Sequence, residues 1–219
     1  MAVQERNIKI IRTARYQELC TAGDKVRKVW FVLHGYGHLA AYFIKSFESL
    51  DVNENCVIAP EGLSRFYLQG FSGRVGASWM TREDRLHEIQ NYVGYLDAVY
   101  EDVFKRVNRD QVSVTALGFS QGAATVSRWL CFGNGRIDHL IVWAGLIPHD
   151  LLEPAHSHCF HGVGLTLVHG TQDEMATRDG VAEQEKLLQR SAVQYNVVAF
   201  EGGHTLDSEV LLKVAEEIA

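Results

Sequence analysis

A chain of 219 residues with 47% hydrophobic content can bury one substantial core, and α/β domains commonly reach this size. A net charge of −6, with no Lys/Arg run longer than two residues, leaves no electrostatic footprint for a nucleic-acid partner. The apolar runs are strand-length, well short of the ~20 residues a spanning helix needs, so no membrane partner is expected. Residues 1–20 carry charge throughout and lack the apolar stretch of a signal peptide, and the four cysteines show no C-x-x-C spacing. They read as reduced, mostly core thiols in a cytoplasmic protein. No repeat or linker divides the chain, which reads as a single domain over residues 1–219.

In chain order, Ile8–Arg12 and Tyr16–Cys20 read as two short strands forming a hairpin at a sheet edge. Val29–Leu33 is a buried strand that runs into His34-Gly35-Tyr36-Gly37, and Ala40–Leu50 is helical. Cys56–Ala59 is a further strand, closed by Pro60. Glu61–Thr81, rich in glycine and aromatic residues, reads as an ordered irregular loop. Its Phe66, Phe71 and Trp79 are candidate pocket-wall residues, although pinning the loop to the core would explain each equally well. Arg82–Val107 places Leu86, Ile89, Val93, Leu96, Val99, Val103 and Val107 three and four residues apart, the spacing of one long amphipathic helix.

Val112–Leu117 is an apolar strand that ends at Gly118-Phe119-Ser120-Gln121-Gly122, after which Ala123–Leu130 supplies a helical packing face. His139–Trp143, Gly164–His169 and Tyr195–Phe200 are later strands, with helices over Thr177–Ala192 and Ser208–Ile218. Between Ile147 and Gly162 lies a loop carrying His149, His156, His158 and His161, whose spacing matches no zinc pattern. This strand–helix alternation predicts an α/β fold with a mostly parallel central sheet and helices on both faces.

Gly118 and Gly122 flank Ser120 where a chain reversing from strand into helix brings backbone against backbone. This is the Gly-x-Ser-x-Gly elbow, which presents a serine at a strand's carboxyl end. Ser72, within Gly70–Arg74, lacks both the second glycine and the strand–helix context, so it is discarded. Asp173 and His204 follow two later strands, giving the chain order Ser, acid, His that accompanies this elbow. All three fall at carboxyl strand ends, where open α/β sheets gather their sites. His204 would take the Ser120 proton, and Asp173 would hold the imidazole's other N–H. The backbone N–H groups of Tyr36 and Gln121 would receive the oxyanion, with Phe119 and Met175 as further candidate pocket residues. His34 and His169 precede chain-turning glycines and read as loop supports. Asp150, Asp179 and Asp207 are rival acids that do not directly follow a strand.

His34–Gly37, Gly118–Ala123, His169–Asp173 and Gly202–His204 resemble the motifs of the phospholipase/carboxylesterase family, which includes the acyl-protein thioesterases; the resemblance spans residues ~29–210. It implies a small α/β-hydrolase fold without a separate cap domain, no cofactor and no metal, acting on a small-molecule ester or thioester substrate. The segment Phe66–Thr81 departs from the family's usual loop. The expectation is a serine esterase for small or medium acyl groups. A thioesterase or protein-deacylating enzyme is the nearest alternative and a non-catalytic binding protein the remote one. A homodimer is compatible with this reading.

Overall fold

The computed structural model describes residues 2–20 and 26–218. Its strands are β1 (Tyr16–Leu19), β2 (Lys28–Leu33), β3 (Asn55–Pro60), β4 (Ser64–Tyr67), β5 (Val75–Ser78), β6 (Ser113–Phe119), β7 (His139–Trp143), β8 (Gly164–Gly170) and β9 (Asn196–Phe200). The α-helices are α1 (Ala40–Phe43), α2 (Arg85–Phe104), α3 (Gln121–Phe132), α4 (Arg178–Arg190) and α5 (Ser208–Glu217). Seven strands form one sheet in the order β1-β3-β2-β6-β7-β8-β9, while β4 and β5 form a separate antiparallel hairpin. Within the large sheet every neighbouring pair is parallel except β1 with β3.

The central strands are covered on both faces, which is why β2 and β6 are apolar without alternation. Phe31, Leu33 and Ala116 face one way and pack with Leu96 of α2 and with Val126 and Trp129 of α3. Trp30, Val32 and Leu117 face the other way, toward Phe43, Phe47, Leu211 and Val214. Each large apolar side chain so buried contributes roughly 1.5–3 kcal/mol. The two helical layers therefore hold the strand ends, and the loops that leave them, in a fixed arrangement.

The amino-terminal segment departs from expectation. Ile8–Arg12 forms no strand, and Ile8, Ile10 and Ile11 are 86%, 77% and 103% exposed, so that stretch has no apolar face to pair over. β1 instead runs antiparallel to β3, with Tyr16 opposite Pro60 and Leu19 opposite Val57. The helix expected over Ala40–Leu50 is α1 followed by a 3₁₀ turn at Ile44–Phe47. The segment expected to be an irregular loop holds the β4–β5 hairpin, whose tip turns through Gly70 and Gly73 at positive φ. The long helix is confirmed in α2, which begins at Arg85 after Asp84 adopts the left-handed conformation.

The cysteines also depart from expectation, because all four are paired: Cys20 with Cys56 and Cys131 with Cys159. The β1–β3 register carries Cys20 opposite Cys56, and their Cα atoms are 4.5 Å apart. The second pair, 5.1 Å apart at Cα, ties the carboxyl end of α3 to a 3₁₀ turn at Ser157–Phe160. No helix among the described residues is long and apolar enough to cross a membrane.

Candidate active site

Ser120 follows β6 directly and starts the turn into α3 with φ 55° and ψ −115°, a conformation L-residues avoid. The turn closes only because its flanks are bare. A Cβ on Gly118 would collide with the Gly122 carbonyl, and one on Gly122 would collide with the Leu33 carbonyl. Such a positive-φ serine stores of order 1–3 kcal/mol, which the surrounding packing must hold. The Ser120 N–H is anchored on the Trp143 carbonyl at 2.9 Å.

The loops after β8 and β9 are laced together. Thr171 N–H donates to Phe200 O and Gln172 N–H to Gly202 O, each at 2.8 Å. This places Asp173 beside His204. The Trp143 indole N–H donates to Thr205 O at 2.9 Å, tying the His204 loop to the end of β7, which also holds Ser120. His204 Nδ1 lies 2.9 and 3.1 Å from the two Asp173 carboxylate oxygens, and its Nε2 lies 2.9 Å from Ser120 Oγ. A carboxylate only accepts, so Nδ1 carries the proton and Nε2 presents its lone pair to the serine hydroxyl. The structure thus brings together the three residues expected from the sequence.

Asp173 is 7% exposed, and Oδ1 also accepts from Met175 N–H at 2.8 Å and Ala176 N–H at 2.9 Å. Burial alone would raise its pKa. The hydrogen bonds from Ala176, His204 and Met175 outweigh burial and hold the carboxylate below its ordinary range. The rival acids are otherwise engaged: Asp150 faces Arg85 and Arg128, Asp207 caps α5, and Asp179 lies in the first turn of α4.

Across the site, the loop after β2 carries Tyr36. Among the described residues, neither the Tyr36 nor the Gln121 backbone N–H donates to a protein acceptor, and Gln121 is the first residue of α3, with no preceding helical turn to accept from it. His34 supports this loop from beneath, fully buried. Its Nδ1–H donates to Gly35 O at 2.8 Å and its Nε2 accepts from Gly62 N–H at 2.9 Å, a pair of bonds only the neutral ring can make.

Burial pushes the His34 pKa down to about 4. Between that value and the ordinary ~6.5 the unfolded chain binds a proton that the folded chain refuses, so stability falls as pH drops through this window. At about 1.4 kcal/mol per pH unit, the loss from His34 approaches ~3 kcal/mol. His38, His139 and His169 are held low by burial and act in the same direction. Denaturant midpoints measured from pH 7 to 4 are expected to show this slope, and a His34→Asn variant to flatten it.

The candidate pocket residues divide. Phe66 is half-buried with its ring 5.0 Å from that of Tyr36, and Met175 is exposed beside Asp173. Phe119 is buried under the site, 5.1 Å from the His204 ring. Phe71 is 97% exposed at the hairpin tip and Trp79 is 1% exposed, so neither offers a wall to substrate. Three further groups join the site that sequence reasoning misses. His38 stacks on Phe119 at 5.9 Å and, through burial and then His204, is held below the usual histidine range. The Gln121 side chain accepts Trp79 N–H. Buried Glu61 accepts from Arg15, Arg65 and the Ala40 N–H, and so caps the start of α1. Glu61 follows β3 as Asp173 follows β8, and that placement is the one signal the sequence offers for it.

The histidine-bearing loop lies elsewhere. His149, His158 and His161 line a cleft of about 540 Å³ with Glu153, Leu187 and Arg190, and none of Ser120, Asp173 or His204 contributes to it. Among the described residues these histidines do not bring three ligand atoms within metal-binding reach of one another.

The family described as phospholipase/carboxylesterase matches residues 14–219. No curated protein sequence matches the chain. Among solved structures, the esterase PE8 is similar at 18% identity and TM-score 0.70, covering 95% of this chain and 100% of its own. The acyl-protein thioesterase 2 of Zea mays is similar at 16% identity and TM-score 0.69, covering 94% and 98%. A carboxylesterase of Bacillus cereus is similar at 15% identity and TM-score 0.67, covering 94% and 93%. At these identities the likeness speaks for the α/β-hydrolase fold.

Proposed function

The chain belongs to the phospholipase/carboxylesterase family, and we propose that within it the chain is a serine hydrolase cleaving carboxylic esters of small or medium acyl groups. The observation that carries this reading is the unbroken hydrogen-bonded line Asp173–His204–Ser120 at 2.9 Å per link. A non-catalytic binding protein would have no need of it.

In this reading His204 Nε2 removes the hydroxyl proton as Ser120 Oγ attacks the ester carbonyl. The carbonyl oxygen becomes an oxyanion between the Tyr36 and Gln121 N–H groups, each worth roughly 3 kcal/mol of barrier. The imidazolium, balanced by Asp173, then protonates the departing alkoxide and leaves an acyl-Ser120. Water, deprotonated by His204, releases the acid by the same steps in reverse. Likeness to an acyl-protein thioesterase keeps thioester cleavage as the second reading, since a thiolate leaves by the same route.

The pairing of Cys20 with Cys56 and Cys131 with Cys159 removes the support for a cytoplasmic location, because disulfides persist in oxidising surroundings. An oxidising compartment is the better reading. A fluorophosphonate probe is expected to label the protein at Ser120. p-Nitrophenyl esters graded from acetate to decanoate, run beside the matching acyl thioesters, should be turned over best at the short and middle lengths. An unlabelled protein inert to both series would sink the hydrolase reading; a preference for thioesters would move it to the second.

A further inference from the structure

The two proposed oxyanion donors lie on different elements, the Tyr36 N–H on the loop after β2 and the Gln121 N–H at the start of α3. Strand pairing fixes those elements only as far as Leu33 opposite Gly118, so the Tyr36 loop must be held by something else. The residues that reach both sides belong to Ala77–Met80, at and beyond the end of β5. On the Tyr36 side, the Trp79 indole N–H donates to His34 O at 2.8 Å, with the two rings 5.0 Å apart. Gly37 N–H donates to Ala77 O at 2.9 Å and Ala77 N–H to His38 O at 3.1 Å, so the loop is pinned before and after Tyr36.

On the elbow side, Gln121 Oε1 accepts Trp79 N–H at 3.1 Å, and Gln121 Nε2 donates to Met80 O at 2.8 Å and to Ser78 Oγ at 3.1 Å. Ser78 and Trp79 are 2% and 1% exposed. Trp79 therefore spends its two N–H groups on opposite halves of the site, one on the backbone beneath Tyr36 and one on the side chain of Gln121.

We propose that Ser78–Met80 is a strut that sets the spacing and aim of the two oxyanion donors, with Trp79 as the positioning residue that joins them. The inference rests on the hydrolase reading given above. Trp79 touches neither substrate nor the reacting atoms; it acts through His34 and Gln121. Because oxyanion donors act on the transition state and not on the bound ester, a loosened strut costs kcat and spares KM.

Trp79→Phe keeps an aromatic ring and deletes the bond to His34 O. Gln121→Met keeps the backbone N–H and deletes the side-chain bonds to Ser78, Trp79 and Met80. Each is expected to lower kcat by about 10- to 100-fold with KM within about twofold. The inhibition constant of an alkylboronic acid, whose adduct on Ser120 puts an oxygen between the donors, should weaken by the same factor. The double variant should lose little more than either single one, because both cut one linkage. Wild-type kcat and boronate affinity in a folded variant, or a loss confined to KM, would overturn the strut. Should Trp79→Phe fail to fold, Gln121→Met on the partly exposed start of α3 decides the matter alone. A wild-type protein inert to esters and fluorophosphonate would instead bring down the hydrolase reading itself, an outcome seen in the unmutated chain.

Discussion

Replacing Ser120 by alanine is expected to lower kcat/KM for p-nitrophenyl esters by roughly 10⁵- to 10⁶-fold, as removal of a nucleophile from an interdependent triad does. The fold should survive. Alanine deletes one oxygen, whose single hydrogen bond among the described residues runs to His204 in a partly exposed site, and leaves the Cβ, the anchoring N–H and the positive φ in place. The unfolding free energy should therefore change by no more than about 1 kcal/mol, within the usual range for loss of one hydrogen bond. Stopped-flow traces decide the assignment. A pre-steady-state burst of p-nitrophenol that persists in the variant would mean that another group receives the acyl chain.

Ser120 is legible in the amino-acid sequence because its constraint is local. A serine held at φ 55° between strand and helix demands small flanking residues within two positions, and those are visible in a row of letters. Asp173 and His204 are legible because each sits a few residues beyond a strand that its apolar run announces. The strut is not, because Trp79 and Gln121 are 42 residues apart and nothing in either neighbourhood marks an amide that reaches across to a backbone N–H. As an aromatic residue in a glycine-rich segment, Trp79 suggests a pocket wall. Its burial shows that the segment is itself built structure, the β4–β5 hairpin, too short and too glycine-broken at its tip to display a two-residue period.

The cysteine pairing is hidden in the sequence for a related reason. Cys20 and Cys56 meet because β1 turns back against β3, an antiparallel neighbour in an otherwise parallel sheet. Widely scattered thiols look unpaired when the register that joins them is unknown. Pairing β1 with Ile8–Arg12 in a hairpin conceals that register. The exposed isoleucines there show that a β-branched run needs an apolar face as well as propensity before it becomes a strand.

Asp173→Asn tests the remaining link, and its expected effect is a fall in kcat of about 10³- to 10⁴-fold with KM little changed. The two carboxylate oxygens have different duties. Oδ1 holds the Met175 and Ala176 N–H groups, and Oδ2 makes the shorter contact with His204 Nδ1. An asparagine can keep its carbonyl oxygen where Oδ1 stands, since those two N–H groups require an acceptor. Its NH₂ then takes the Oδ2 position and points a donor at Nδ1. The imidazole must answer with a lone pair at Nδ1, which moves its proton to Nε2, the atom 2.9 Å from Ser120 Oγ. A ring that presents N–H to the serine cannot take the serine's proton, and the imidazolium would have lost its counter-charge as well. The loop stays built, so substrate binding and the unfolding midpoint should hold. Asp173→Ala differs in removing the acceptor for Met175 and Ala176 too, and it should lower stability together with kcat. If Asp173→Asn instead retained activity within about tenfold of wild type, His204 would be oriented by something other than this carboxylate. The 2.9 Å contact between Asp173 Oδ2 and His204 Nδ1 would then not set the imidazole tautomer.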